Sequence, residues 1–279
     1  MRAEQVKWKA GVGGEDEDQL RQAFVEWLTA NGARYPKIDW PSSETESGIR
    51  GGVAKEAIAS GEHMIEIPVH LMMTPVAALN DPVVGRILSS VTEMIYGDLL
   101  LCVYIMHEMR KGVDSFYYPF LKILPEPGNI SEWSNDDLLL LQDSQILLRA
   151  RNRRQVMKNM YSKSVGMMTK LFPFDFSEQE FPYHNFKFAW NSLQARAFGK
   201  RLPWTAMVPF ADCLNHSNVQ TKYDYDVEGN GLFRLFPSGV NHYPAGAEVF
   251  NSYGRRPNDN LLMDYGFALL GNLWDEVSH

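Results

Sequence analysis

Apolar positions fall into three textures along the chain. Over residues 18–30, Leu20, Phe24, Trp27 and Leu28 recur at helical spacing behind an acidic lead and ahead of Asn31-Gly32, a stop signal. That pattern predicts one amphipathic helix. Short β-type runs follow at 52–54 and 63–67, separated by Ala59-Ser60-Gly61-Glu62 and closed by Pro68, the pattern of a hairpin. From Tyr96 to Lys200 the period lengthens. Leu99, Leu100, Val103, Met106 and Met109 mark one helix, and residues 138–168 a longer helical stretch rich in Leu and Met. After Arg201 short β-type runs return at 208–210, 221–227, 232–236 and 248–253, broken by Asn, Gly and Pro. Neither β-rich third has enough strands to close a core alone, so a β-rich unit interrupted by a helical insertion explains the order better than two consecutive domains. The expected division is a flexible lead-in at 1–17, β-rich parts at 18–95 and 196–279, and the insertion at 96–195.

Composition supports a folded chain: 45% of residues are hydrophobic and 22% charged, enough to bury a full core. The 27 basic and 34 acidic side chains leave a net charge of −7, which argues against a general nucleic-acid or anionic-membrane surface. The longest apolar stretch, 94–106, is interrupted by Asp98 and falls short of the about 20 residues that span a bilayer. Four consecutive acids at 15–18 fit neither a secretory signal nor a transit peptide, so a cytoplasmic or nuclear protein, monomeric, is expected. The two cysteines, Cys102 and Cys213, build no disulfide framework and no Cys-rich zinc cluster, and read as a reduced pair of buried thiols.

Two segments concentrate polar groups among apolar ones. In PFADCLNHSN (209–218), Asp212, Asn215, His216 and Ser217 neighbour Phe210, Cys213 and Leu214. Burial there demands partners, either a ligand or the chain's own backbone capped in a turn. In EVFNSYGRRPNDNLLMDYGF (248–267), Tyr253 precedes Gly254 and Tyr265 precedes Gly266; such rings either wall a channel or sit in the core with satisfied hydroxyls. A metal at Asp212 and His216 lacks further ligands, since His63, His70, His107, His184, His242 and His279 show no ligand-like spacing. There is no Gly-x-Ser-x-Gly elbow, and Gly48, Gly51 and Gly52 are not spaced as a phosphate loop. The basic cluster Arg149, Arg151, Arg153 and Arg154 reads as a solvated helix face, a docking patch for an acidic protein surface, or a nuclear-localisation signal.

Taken in order, EDQLRQAFVEWLTANGA, SGIRGGVAKEAIASGEHMIEIP, DLLLCVYIMHEMRKGVDSFYYPFLKILPE, RAF, ADCLNHSN, NSYG and DYGF resemble the SET-domain protein methyltransferases, specifically the branch typified by the Rubisco large-subunit lysine methyltransferases. The resemblance implies an α+β fold of small sheets with a knot-like threading of the C-terminal strand, interrupted by a helical insertion. It implies S-adenosylmethionine as cofactor, S-adenosylhomocysteine as product, no metal, and a protein substrate that presents a lysine. Carried over position by position, Ile49 (where the family usually has Gly), Arg50, Gly51, Arg196, Asp212, Asn215 and His216 resemble cofactor contacts. Tyr253 resembles the catalytic tyrosine, which also borders the cofactor, and Phe198, Tyr265 and Ala211 the substrate channel. Histidine-methylating members resemble a variant with Asn at the position of Phe198 and Trp at that of Ala211, so the residues here are of the lysine type. The absence of Cys-rich flanks points to a non-histone target. A catalytically silent SET-type binding module and a histidine methyltransferase are the competing readings.

Overall fold

The first helix forms as its periodicity predicts: α1 (Glu17–Ala30) buries Phe24 and Leu28. The computed structural model describes residues 17–42, 45, 49–142, 144–226 and 231–276, so the expected lead-in lies outside the described residues except for Glu17. The strands are β1 (Ile38–Ser42), β2 (Gly51–Ala54), β3 (Ile65–Pro68), β4 (Thr221–Tyr225), β5 (Leu232–Pro237) and β6 (Glu248–Val249). Between β3 and β4 run α2 (Pro75–Asn80), α3 (Gly85–Ser90), α4 (Gly97–Lys111), α5 (Tyr118–Ile123), α6 (Asn135–Leu139), α7 (Gln145–Lys163), α8 (Val165–Leu171) and α9 (Tyr183–Arg196). The last helix is α10 (Asn258–Tyr265). The helical texture thus begins at Pro75, earlier than the change of period at Tyr96 suggests.

Among the described residues two antiparallel three-stranded sheets form, one in the order β1-β2-β6 and one in the order β3-β5-β4. The predicted hairpin between 52–54 and 63–67 does not: β2 pairs with β1 and β6, and β3 with β5. The turn signal itself is real, since Gly61 has φ +82° and Glu62 N–H donates to the Ala59 carbonyl, but the turn carries the chain from one sheet to the other. Turn chemistry is local, whereas the partner of a strand is chosen by what its faces can bury. At Gly52 a Cβ would lie 2.9 Å from Ile38 Cγ2 and 3.0 Å from Leu214 Cδ2, so β2 is built for close approach by β1 and by the polar segment at 209–218. The edge strand β1 contains Asp39 and Pro41, residues that mask strand character.

Two further runs were expected as strands and are not. Met207 makes a single bridge to Met73; Phe210 then takes φ +70° and turns the chain into a 3₁₀ turn, Ala211–Cys213. A bulky residue with positive φ is an outlier that its surroundings must hold. Here Phe210 stacks on Tyr35 at 3.7 Å and meets Trp40 edge-on at 5.9 Å. The run at 248–253 is a strand only over β6, after which Asn251 makes an isolated parallel bridge to His216. The long helical stretch at 138–168 is divided among α6, α7 and α8, because Gln142 adopts φ 50° and Ser164 leaves the helical region.

The main core runs from Phe24 and Trp40 through α4 and α9 to Phe233 and Val249. A second, smaller core of Ile130, Leu138, Ile146, Leu147, Ala150 and Met263 joins the outer insertion to α10. The basic cluster on α7 belongs to this junction. Arg153 bonds Asp264 Oδ1 at 2.6 Å and the Met263 carbonyl at 3.3 Å, Arg149 bonds Asn260 Oδ1 at 2.7 Å, and Arg154 bonds the Ser131 and Trp133 carbonyls and Asn135. A solvated face or a free docking patch therefore does not describe Arg153 and Arg154; Arg149, though bonded to Asn260, and Arg151 are exposed. Reversing Arg153 and Arg154 together to Glu should destabilise the protein by about 2 kcal/mol or more, because carboxylates would then face Asp264 and three backbone acceptors. Urea denaturation checks this, and an unchanged midpoint would contradict the clamp.

Candidate active site

Three segments meet behind the β2 end of the first sheet: the close-approach glycines, the C-terminus of α9 with the 209–218 segment, and the stretch from β6 into α10. Arg196, the last residue of α9, donates from Nη1 to the Asp212 carbonyl at 2.9 Å and to its Oδ2 at 3.3 Å. Burial pushes the Asp212 carboxyl up, and the Arg196 guanidinium opposes that rise. Asn215 donates from Nδ2 to Glu248 Oε1 at 2.7 Å and to the Arg50 carbonyl at 3.3 Å, tying the polar segment to β6 and β2. A Cβ on Gly51 would lie 2.6 Å from Asn215 Nδ2 and 2.9 Å from Glu248 Oε1, so only glycine lets the three meet.

Arg196 and Asn215 border a cavity of about 380 Å³ whose walls also include Arg21, Ile49, Arg50, Leu124 and Pro125. Ile49 is exposed and its carbonyl accepts from the Thr45 hydroxyl, while Arg50 packs its guanidinium over Trp40 and donates to the Ile123 carbonyl. Its charge is therefore presented along the cavity wall rather than free in solvent.

Beside the cavity stands an aromatic stack. Tyr253 lies over His216 at 4.9 Å and an interplanar angle of 16°, and under Tyr265 at 4.9 Å and 29°, with Phe267 completing the group. The Tyr253 hydroxyl donates to the Leu214 carbonyl at 2.8 Å. Burial pushes this phenol well above its ordinary value, so it stays protonated at neutral pH. His216 Nδ1 is 3.1 Å from the Tyr253 N–H and 3.2 Å from the Asn251 carbonyl, and its Nε2 is buried without a partner among the described residues.

The structure thus brings together Arg50, Gly51, Arg196, Asp212, Asn215, His216, Tyr253 and Tyr265, with Ile49 at the cavity's rim. Phe198 stands in an adjoining aromatic cluster, edge-on to Tyr223 at 5.3 Å and to Phe233 at 5.1 Å, and Ala211 is fully buried in the 3₁₀ turn. Glu248 and Phe267 belong to the site and were not singled out by sequence. Phe267 lay in the DYGF motif, whereas nothing in a lone glutamate signals that it buttresses an asparagine. Asp81, His107 and Glu108 also converge, with ligand-type atoms within 4.8 Å of one another, although sequence spacing hides it; Lys111 supplies the counter-charge 2.8 Å from Glu108.

Burial lowers the pKa of both His107 and His216, against opposing acids at His107 and the Asn251 carbonyl at His216. Both rings are neutral in the fold and protonate more readily when unfolded, so their contribution to stability is full above about pH 6.5 and is lost as pH falls below it. The urea midpoint should drop between about pH 7.5 and about pH 5.5, and His107→Gln should flatten that drop. Equal slopes in variant and parent would contradict it.

No protein-family profile matches the chain. It is 28% identical over 280 residues to the chloroplastic Rubisco large-subunit N-methyltransferase of Pisum sativum, covering 94% of this chain and 54% of that protein. It is 26% identical to SET domain-containing protein 4 of Mus musculus (91% and 60% covered) and 24% identical to actin-histidine N-methyltransferase of Xenopus tropicalis (95% and 46%). The chain spans about half the length of these relatives. Among solved structures, the SET domain of LSMT bound to methyl-lysine and S-adenosylhomocysteine matches with TM-score 0.74 and 25% identity, over 90% of this chain and 57% of that one. Rubisco LSMT bound to sinefungin and monomethyl-lysine matches with TM-score 0.70 and 26% identity, over 90% and 56%. The chain thus has the fold of a SET domain, and in sequence and in the order of its motifs it is similar to the Rubisco large-subunit N-methyltransferases.

Proposed function

We propose that this protein transfers a methyl group from S-adenosylmethionine to the ε-amine of a lysine on a non-histone protein, in the cytoplasm or nucleus. The observation that carries the reading is the placement of Tyr253: a half-buried, protonated phenol whose proton is committed to the Leu214 carbonyl, stacked between His216 and Tyr265 beside the Arg196–Asn215 cavity. The cavity fits the cofactor. Its volume is in the range of small-molecule sites, and Gly51 beside its wall lets Asn215 and Glu248 approach where a Cβ would collide with them. Arg50 and Arg196 suit a carboxylate, and the backbone of Asn215 and His216 suits an adenine edge.

When bound, the cofactor supplies a methyl group on a positively charged sulfur. The chain's own residues then have three tasks. Arg196, Asn215 and Gly51 hold and orient. Tyr253 presents oxygen lone pairs, freed by the hydrogen bond to Leu214, toward charge that develops during transfer. The aromatic faces of Tyr253, Tyr265 and Phe267 exclude water from the acceptor. That matters because a free lysine amine of pKa about 10.4 is neutral in only about one molecule in 2,500 at pH 7, and an apolar, aromatic surround favours loss of its proton.

A histidine acceptor is the second reading, favoured by the likeness to actin-histidine N-methyltransferases. Phe198 and Ala211 support lysine instead, since Phe198 offers an imidazole no hydrogen-bond partner and Ala211 no flat wall. Methyl-labelled S-adenosylmethionine incubated with the protein and a cell extract, followed by acid hydrolysis, separates the two: labelled methyl-lysine is expected, and labelled methyl-histidine would overturn the lysine assignment.

A further inference from the structure

The strand that leads toward Tyr253 stops short of it. β6 ends at Val249, and among the described residues only an isolated bridge from Asn251 to His216 continues the pairing. Backbone N–H groups that leave a ladder need other acceptors. Four different groups supply them here. Phe250 N–H donates to the Tyr243 hydroxyl at 3.3 Å, Asn251 N–H to the Asn215 carbonyl at 2.8 Å, Ser252 N–H to Thr221 Oγ1 at 2.9 Å and Tyr253 N–H to His216 Nδ1 at 3.1 Å. Asn215 and His216 belong to the site already described, and Tyr243 holds Phe250, further back along the chain. Thr221 holds the residue immediately before Tyr253.

The place of Thr221 in its strand suits it to this task. It opens β4, an edge strand in the order β3-β5-β4, and its partner in β5 is Pro237, which has no N–H to give to a ladder. The side chain takes over where the ladder ends. The single hydroxyl donates to Asn251 Oδ1 at 2.8 Å while accepting from Ser252 N–H, so one oxygen grips two successive residues. Asn251 is buried, which leaves its amide oxygen little water to turn to without that hydroxyl. The Asn251 carbonyl in turn lies 3.2 Å from His216 Nδ1, on the ring against which Tyr253 stacks. A shift of Asn251 and Ser252 therefore reaches Tyr253 twice, along the chain and through the ring. Thr221 is not among the walls of the Arg196–Asn215 cavity, so its removal acts on Tyr253 rather than on the cofactor's own contacts.

We infer that Thr221 is a positioning residue: its hydroxyl fixes Asn251 and Ser252 so that the Tyr253 hydroxyl stays on the Leu214 carbonyl with its oxygen aimed for methyl transfer. The methyl-transfer reading supplies only what the aimed oxygen does; the placement of Tyr253 by Thr221 is testable without it.

Thr221→Val replaces the hydroxyl by a methyl group of similar size and keeps the branched strand-former, whereas Thr221→Ser keeps the hydroxyl. Three quantities are read on the whole chain: transfer of labelled methyl from saturating S-adenosylmethionine to the proteins of a cell extract, affinity for S-adenosylhomocysteine, and the carbon-13 resonance of the hydroxyl-bearing ring carbon of Tyr253, assigned by its loss in Tyr253→Phe. The valine variant should slow transfer by about tenfold to a hundredfold, leave affinity within about threefold and displace the Tyr253 resonance. The serine variant should stay within about threefold of the parent and leave the resonance in place. Transfer at the parental rate by the valine variant, rate and affinity lost in equal measure, an unmoved resonance, or a serine variant as slow as the valine one would overturn the inference. If circular dichroism shows the valine variant unfolded, Thr221→Ala is read in its place against the same outcomes. If the parent transfers no label, the resonance decides: displaced in the valine variant but not in the serine one, it upholds the positioning role and counts against the enzymatic reading; unmoved in both, it overturns the role.

Discussion

Tyr253→Phe is expected to slow methyl transfer by about a hundredfold to a thousandfold while leaving cofactor affinity within about threefold. The change removes one oxygen and nothing else. The ring would keep its stack between His216 and Tyr265, and its backbone N–H would keep its bond to His216. The lost bond to the Leu214 carbonyl costs about 1 kcal/mol of stability, too little to unfold the protein. Single-turnover kinetics with labelled cofactor, beside a binding titration, read the two effects separately. A matched loss of binding and rate would mean that the hydroxyl serves the ground state, and the assignment of Tyr253 as catalytic would fail.

Arg196→Ala should lower stability by about 3–5 kcal/mol, the usual cost of stranding one member of a buried ion pair. Asp212 is buried with Arg196 as the guanidinium on its carboxylate and backbone carbonyl. Without it, burial alone sets the carboxyl, which rises further above the unfolded value. A carboxyl raised in the folded state destabilises that state when ionised, so the variant should lose stability as pH rises through the folded-state pKa and regain part of it in acid. The deficit against the parent is therefore largest near neutral pH. Asp212→Asn added to Arg196→Ala should recover much of the loss in urea denaturation, because no buried charge then remains. A double variant no more stable than Arg196→Ala would show that the arginine acts by packing, not by pairing.

Much of the candidate site's geometry was legible in the sequence because its chemistry is local. The Asn-His pair, the tyrosines before Gly254 and Gly266, and Arg196 in its motif sit in short segments whose residue types announce themselves, and the fold brings them to one place. What was illegible depends on distant partners. Glu248 reads as an ordinary strand acid until Asn215 is seen 2.7 Å away, and the arginines of α7 read as a basic surface until Asp264, Asn260 and the turn at Ile130–Glu132 are seen to occupy them. Phe210 carries a strand-former's propensity, yet stacking on Tyr35 and Trp40 holds it at positive φ, where it delivers Asp212 to Arg196. The hairpin failed for the same reason. Its turn was correctly read, but the strands beside it found partners about 180 residues away, a choice that no local pattern encodes.

Titration of the protein with S-adenosylhomocysteine in a calorimeter tests the central claim most directly, because it asks whether the Arg196–Asn215 cavity is a cofactor site before any substrate is known. One molecule should bind per chain, and Gly51→Val, whose side chain would enter the space shared by Asn215 and Glu248, should weaken it by about tenfold or more while circular dichroism shows the fold retained. Absence of binding by the parent protein, or equal binding by the folded variant, would contradict the account.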